Sequence, residues 1–154
     1  MKAPSENVIR EPIGRVMSTI ARLFLADLHR KLRHLDIKRS FYPLVLIERG
    51  GGRMTQQELA QELSCDKVQV VRIIDYLSSN GYVRRERDSG DRRKFNLKVT
   101  DKALGVLPDI RKAFRETTEV ALAGVPVHEV DDFLRLLRTL QVNLLNNQTT
   151  ENNE

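Results

Sequence analysis

The run TQQELAQELSCDKVQVVRIIDYLSSNGY, from Thr55 to Tyr82, leaves a folding chain few choices. Thr55 with Glu58 three residues later has the form of a capping box: the threonine oxygen accepts an amide hydrogen bond and the glutamate reaches back. Leu59, Ala60 and Leu63 then give one apolar face, and this helix is expected to stop near Ser64. Asp66 stands where it caps a second helix, whose inward stripe is Val70, Ile73, Ile74 and Leu77. Asn80-Gly81 ends that helix, with Gly81 as the left-handed residue past its C-cap. Two helices separated only by Ser64, Cys65 and Asp66 make a helix-turn-helix unit.

A β-hairpin is expected next: a strand from Tyr82 to Arg87, the loop Asp88-Ser89-Gly90-Asp91, and a strand from Arg93 to Val99. In the second strand Phe95, Leu97 and Val99 alternate with Lys94, Asn96 and Lys98, the pattern of a half-buried ribbon. Upstream, Pro12 opens a helix to about His34 carrying Ile13, Val16, Met17, Ile20, Leu23, Phe24, Leu28 and Leu32 at helical spacing. Its opposite face holds Arg15, Arg22, Asp27 and Lys31. Phe41 to Arg49 reads as a second helix, with a buried strand as the rival, and three glycines end it. Thr100 caps a long helix to about Thr118, which Pro108 can kink. Pro126 opens the last helix, lined by Val130, Phe133, Leu134, Leu137, Leu140, Leu144 and Leu145.

The fold class expected is mainly α: a winged helix-turn-helix core with long N- and C-terminal helices and one β-hairpin wing. The organisation is a flexible N-terminus (1–11), an N-terminal dimerisation helix (12–40), the winged region (41–100), C-terminal dimerisation helices (101–147) and a disordered tail (148–154). With 154 residues, no Trp and 5% aromatics, one domain with an aliphatic core is expected. Leu136 and Val142 lie off the main stripe of the last helix, so its apolar surface exceeds one face. Packing within one subunit is one solution. The favoured one is a homodimer whose terminal helices interleave, through Ile13, Val16, Ile20, Phe133, Leu137, Leu140 and Leu144.

Subtracting the buried stripe leaves Lys67, Val68, Gln69, Val71, Arg72, Asp75 and Tyr76 facing outward on the second helix of the pair. Lys67, Gln69 and Arg72 occupy its first two turns, where a helix entering a DNA major groove presents its side chains. Gln bonds adenine at two edges, Arg bonds guanine at two, and Val68 suits a thymine methyl. The helix N-termini, including the one capped by Thr55, favour a phosphate. A solvated surface helix carries the same pattern, and the hairpin tips the balance. From Arg84 to Lys98 seven cations face three anions, most of the net charge of +5. Arg92, Arg93 and Lys94 cluster at its tip, and arginines sense the potential of a narrow minor groove. Asp91 is placed to hold Arg93, or Arg85 on the adjacent strand.

The run from Met54 to Thr100 resembles the winged core of the MarR family of bacterial transcription regulators. The resemblance rests on the capped helix, Asp75-Tyr76-Leu77, Gly81-Tyr82-Val83-Arg84-Arg85, Asp91-Arg92-Arg93 and Val99-Thr100. Tyr82 and Val99 replace the usual leucines, and Ala103 replaces a common glycine. The resemblance implies a homodimer on a pseudo-palindromic operator, with Lys67, Val68, Gln69 and Arg72 in the major groove and Arg93, held by Asp91, in the minor groove. It also implies release by a small aromatic effector bound between the dimer helices and the winged core.

Other chemistries find little support. Cys65 is the only cysteine, which excludes an intrachain disulfide and suits a reducing, cytoplasmic setting. It reads as a small buried hydrophobe in the turn, although Lys67 and a helix N-terminus are near enough to activate it. His29 and His34 are five apart, not a helical neighbour spacing for a metal pair, and His128 is remote. Gly50-Gly51-Gly52 lacks the Lys-Ser/Thr of a phosphate loop. No enzyme, cofactor, metal or membrane span is expected. The remaining alternatives are a winged protein–protein module and a constitutive DNA binder without an effector.

Overall fold

The computed structural model describes residues 12–38, 40–88, 90–91 and 94–151, with side chains through 147. The elements in order are α1 (Ile13–Lys31), α2 (Phe41–Arg49), β1 (Met54–Thr55), α3 (Gln56–Glu62), α4 (Lys67–Ser79), β2 (Val83–Arg87), β3 (Phe95–Val99), α5 (Asp101–Ala121) and α6 (Val127–Glu151). The strands form one antiparallel sheet in the order β1-β3-β2. The chain divides into two units at Thr117/Thr118.

The first unit is built on an aliphatic core, as the shortage of aromatics requires. Leu28, Ile37, Leu44, Ile47, Leu59, Val70, Ile74, Leu77, Leu97, Leu107 and Ile110 are all essentially sealed from water, and the buried aromatics are Phe41 and Tyr82. Each such side chain contributes about 1.5–3 kcal/mol by leaving water. The stripe read for α4 is the buried one, with Ile73 half-buried at its edge. Phe41–Arg49 is helical, which removes the strand alternative.

Several boundaries differ from expectation, each for a local reason. α1 ends at Lys31 because Leu32 and Ile37, five residues apart, both reach the core, and only a turn brings them there. Asp27 and Lys31 are not part of a solvated face. The Asp27 carboxylate accepts from Lys31, Arg30 and, at 2.7 Å, the hydroxyl of buried Thr117 on α5. The Lys31 bond above all, then Thr117 and Arg30, holds that carboxyl well below the usual carboxylate range. β1 was not expected; two residues show no periodicity, and it exists by pairing Met54 with Leu97 and Thr55 with Asn96. The alternation read for β3 fails at its start. Phe95 is exposed, and Asn96 is buried because its amide donates to Asp88. Tyr82 precedes β2, its amide being used to close α4.

α5 runs three residues past Thr118 and continues through Pro108. In the second unit α6 extends to Glu151, where the tail was expected to be disordered. Pro126 opens it as expected, its carbonyl accepting from Glu129 and Val130. Replacing Ile74, fully sealed beneath α4, with Ala should cost about 2–5 kcal/mol. Chemical denaturation of the Ile74→Ala variant checks this; a loss below about 1 kcal/mol would mean the site is not tightly packed.

Candidate nucleic-acid interface

The helix pair is held by its caps. Thr55 and Glu58 form the complete reciprocal box: the Glu58 amide donates to the Thr55 hydroxyl at 3.3 Å, and the Thr55 amide donates to the Glu58 carboxylate at 2.7 Å. The Thr55 amide first, then the Thr55 hydroxyl at 2.9 Å, donate to the Glu58 carboxylate and keep it below its ordinary range. A helix of seven residues would not persist alone; this one is anchored by Leu59 in the core. It ends with Ser64 in the left-handed region at φ +48°, while the Cys65 amide returns to the Ala60 carbonyl. That reversal swings the chain directly into α4. Cys65 is half-buried and packs against the core.

α4 starts at Asp66, whose carboxylate accepts from the Gln69 amide at 2.8 Å. It closes with the same left-handed device, Gly81 at φ +73° and the Tyr82 amide on the Leu77 carbonyl. Between the caps, Lys67, Val68, Gln69 and Arg72 are exposed, with Val68 at 60%. Gln69 is not loose. Its side-chain Nε2 donates to the second Asp66 oxygen at 2.8 Å. Tyr76, expected to face outward, is half-buried instead. Its hydroxyl lies 3.3 Å from the Asp36 carbonyl and carboxylate, and Lys38 sits 4.8 Å over its ring. Burial first, then the Asp36 charge, push the phenol up.

The wing sorts its cations. Arg85 on β2 bonds Asp75 on α4 at 2.6 Å, so the wing and α4 are tied directly. On sequence, Arg85 is an alternative to Arg93 as the partner of Asp91; Asp75 is the carboxylate that holds it. Glu86 takes Arg84 at 2.6 Å and Lys98 at 2.5 Å, which hold its carboxyl down, Lys98 first. Arg87 lies 5.8 Å over the exposed Phe95 ring. Lys94 is exposed across a hollow from Thr55, Gln57 and Glu58. Arg92 and Arg93 lie outside the described residues.

Asp88 organises what is described of the tip, a role the sequence reading missed. Its Oδ1 accepts from the amides of Gly90 at 2.8 Å and Asp91 at 2.9 Å, and its Oδ2 accepts from the Asn96 side chain at 2.7 Å. The Asp91 carbonyl in turn accepts from the Lys94 amide, and Asp91 is half-buried. The signal available was an acidic residue two before a glycine in a tight turn. Asp66 as an orienting group for Gln69 and Asp75 as the wing's tether were also missed, because long-range and side-chain pairings leave no periodicity.

A second hollow, about 540 Å³, lies beside the inner edge of α4, lined by His29, Lys38, Ser40, Arg72, Ile73 and Tyr76. The His29 ring stands edge-on to Phe41, and its Nε2 is buried with no hydrogen-bond partner among the described residues. His34 lies 3.6 Å from Asp109. No group of metal-ligating side chains occurs among the described residues, and no described helix is long and apolar enough to cross a membrane.

A capped helix pair followed without slack by a cationic three-stranded wing defines a winged helix-turn-helix protein. Residues 40–94 match the MarR family model. The chain is 30% identical to the transcriptional regulator PA3341, over 86% of this chain and 98% of that one, with a TM-score of 0.73. It is 26% identical to a MarR transcriptional regulator from Methanosarcina mazei Go1, over 87% and 96%, with a TM-score of 0.73. It shares the fold of a putative MarR family regulator from Listeria monocytogenes, solved in complex with a 26mer DNA, at 20% identity, 89% and 91% coverage and a TM-score of 0.79. The chain belongs to the MarR family of transcription regulators.

The Asn96 amide above all, then the amides of Asp91 and Gly90, depress the Asp88 carboxyl, so its contribution to the tip is full above the ordinary aspartate value. That contribution fades as pH falls through the depressed value. The Gly90 and Asp91 amide resonances should therefore titrate together with a midpoint below 3.8, and Asp88→Asn should abolish that inflection. A midpoint at or above 3.8 in the wild type would remove Asp88 from this role.

Proposed function

We propose that the protein is a homodimeric, sequence-specific DNA-binding regulator, acting as a repressor on a pseudo-palindromic operator. The observation that carries this is the outward surface of α4: Lys67, Val68, Gln69 and Arg72 exposed on its first two turns, on a helix tethered to a cationic wing by Asp75 and Arg85. These side chains enter the major groove, where an exposed valine gains the thymine methyl as a partner. Lys94 and Arg92 add charge at the hairpin tip, and Arg93, held by Asp91 in the family pattern, reaches the adjacent minor groove. The DNA bound to the Listeria monocytogenes relative supports the same reading. At the α3 N-terminus a phosphate would have to compete with Glu58 for the Thr55 hydroxyl, so Thr55 acts chiefly as the cap. The cell compartment that holds the genome, the cytoplasm, follows from this role, which includes no catalysis.

The domain assignment enters here too. Ile13, Val16 and Ile20 on α1, and Phe133 and Leu144 on α6, are between 37% and 64% exposed, and Leu137 and Leu140 are partly so. Apolar surface on this scale belongs at an interface, and a two-fold dimer delivers two α4 helices to two half-sites. The hollow beside Arg72 favours an effector as well. A planar aromatic anion fits between Tyr76, Ile73 and the cations Lys38 and Arg72, and Arg72 is shared with the reading surface.

Neutralising six to ten phosphates should lower operator affinity by about 10³–10⁵ between roughly 50 and 200 mM salt. Arg93→Ala should weaken all sites alike. Affinity insensitive to salt would favour a protein–protein module instead. Sedimentation checks the dimer: the wild type should run at twice the 17.7 kDa chain mass, and the Phe133→Glu/Leu144→Glu double variant at the chain mass itself. A monomeric wild type at micromolar concentration would end the dimer assignment.

A further inference from the structure

The Asp66–Gln69 contact does more than cap a helix. Asp66 spends one oxygen on the Gln69 backbone amide and the other on the Gln69 side chain, both at 2.8 Å. An ionised carboxylate only accepts hydrogen bonds, so the side-chain atom facing it must be the amide nitrogen. The amide oxygen beside it would meet repulsion. The Asp66 carboxyl is held below its ordinary range by these bonds, with the backbone amide of Gln69 the largest cause, so it stays ionised at neutral pH. A free glutamine turns its amide over at little cost and offers either a donor or an acceptor. Here the polarity is set.

We infer that Asp66 is a specificity-determining positioning residue: through its second oxygen it fixes the Gln69 amide with Oε1 outward, so that Gln69 selects a base edge bearing a hydrogen-bond donor. This rests on the DNA-binding reading above and deepens it. In the major groove the exposed donors are adenine N6 and cytosine N4. Adenine is the better match, since the remaining amide hydrogen meets its N7. Guanine and the thymine O4 offer only acceptors and are rejected. Gln69 and Asp66 are both exposed in the free chain, so the bond exchanges with water there; docking on the duplex excludes that water and sharpens the choice.

The substitution Asp66→Asn tests this because it keeps the cap and reverses the partner. The Asn oxygen still accepts the Gln69 backbone amide, as a good N-cap does. Its second atom is now a nitrogen, which only donates, so the Gln69 oxygen turns inward and its amide hydrogens turn outward. Selection from a randomised operator pool with the full-length chain reads the outcome. The wild type should enrich adenine, then cytosine, at one position per half-site, and Gln69→Ala should erase that preference. Asp66→Asn should move the same position toward guanine or thymine, with the ratio changing on the order of tenfold. Asp66→Ser caps the helix but is too short to reach the side chain, so it should weaken the preference without reversing it.

A melting temperature within a few degrees of wild type for either variant shows that the helix is intact; a merely structural cap would leave base preference unmoved. The inference is overturned if Asp66→Asn and Asp66→Ser both keep the wild-type preference. It is equally overturned if the position sensitive to Gln69→Ala favours guanine or thymine in the wild type, or if no position responds to Gln69→Ala while operator binding persists. A wild-type chain that enriches no sequence at all overturns this inference and the DNA-binding reading together.

Discussion

Everything on the outer surface of α4 depends on what its inner surface does. Val70, Ile74 and Leu77 are sealed in one core cluster with Leu59 of α3, Leu97 of β3, Leu28 of α1 and Leu107 of α5. That burial fixes the rotation of the helix about its own axis. Once three positions per two turns are spent inward, Lys67, Val68, Gln69 and Arg72 have nowhere to go but out. The caps at Asp66 and Gly81 then fix where the helix begins and ends, to within a residue. Rotation and register are what a reading helix must have settled before it meets a ligand, because neither can be corrected by side-chain rotamers alone.

The electrostatics are more economical than the composition suggests. Of the cations between Arg84 and Lys98, Arg84 and Lys98 share Glu86, Arg85 goes to Asp75 and Arg87 lies on Phe95. On an exposed surface each such pair is worth about a kilocalorie or less. Their effect is geometric. They tie β2 to β3 through Glu86 and β2 to α4 through Asp75.

How legible this was follows from the range of each signal. The capping box, the Asp66 cap, the glycine stop and the α4 stripe each depend on residues no more than four positions apart, and each was read correctly from the chain. The helix at Phe41–Arg49 and the opening of α6 at Pro126 were equally local. What failed was either too short to carry a period, as with Met54–Thr55, or settled by a distant partner. Asn96 turns inward because Asp88 waits for it, against the alternation of its own strand. Asp27 looks like a solvated helix residue until Thr117, ninety positions away, closes on it. In the candidate site, the residues proposed to read DNA, Lys67, Val68, Gln69 and Arg72, were visible as an exposed face. Their supports, Asp66 for the Gln69 side chain, Asp75 for Arg85 and Asp88 for the tip, were not, since acidic residues in a basic region resemble ordinary charge balance.

The Gly81–Tyr82 junction has a mechanical corollary. The Tyr82 amide closes α4, its carbonyl accepts from the Thr100 amide at 3.0 Å, and the Thr100 hydroxyl bonds the Gly81 carbonyl at 2.7 Å. Lys102 adds a clasp from α5, its ammonium on the Asn80 carbonyl and over the Tyr82 ring. Helix end, strand start and α5 start are thus knotted at a single point, with no intervening loop to absorb motion. The knot acts as a hub. A rotation at the start of α5 would therefore be passed to the end of α4 and the base of the wing together, not taken up by a loop.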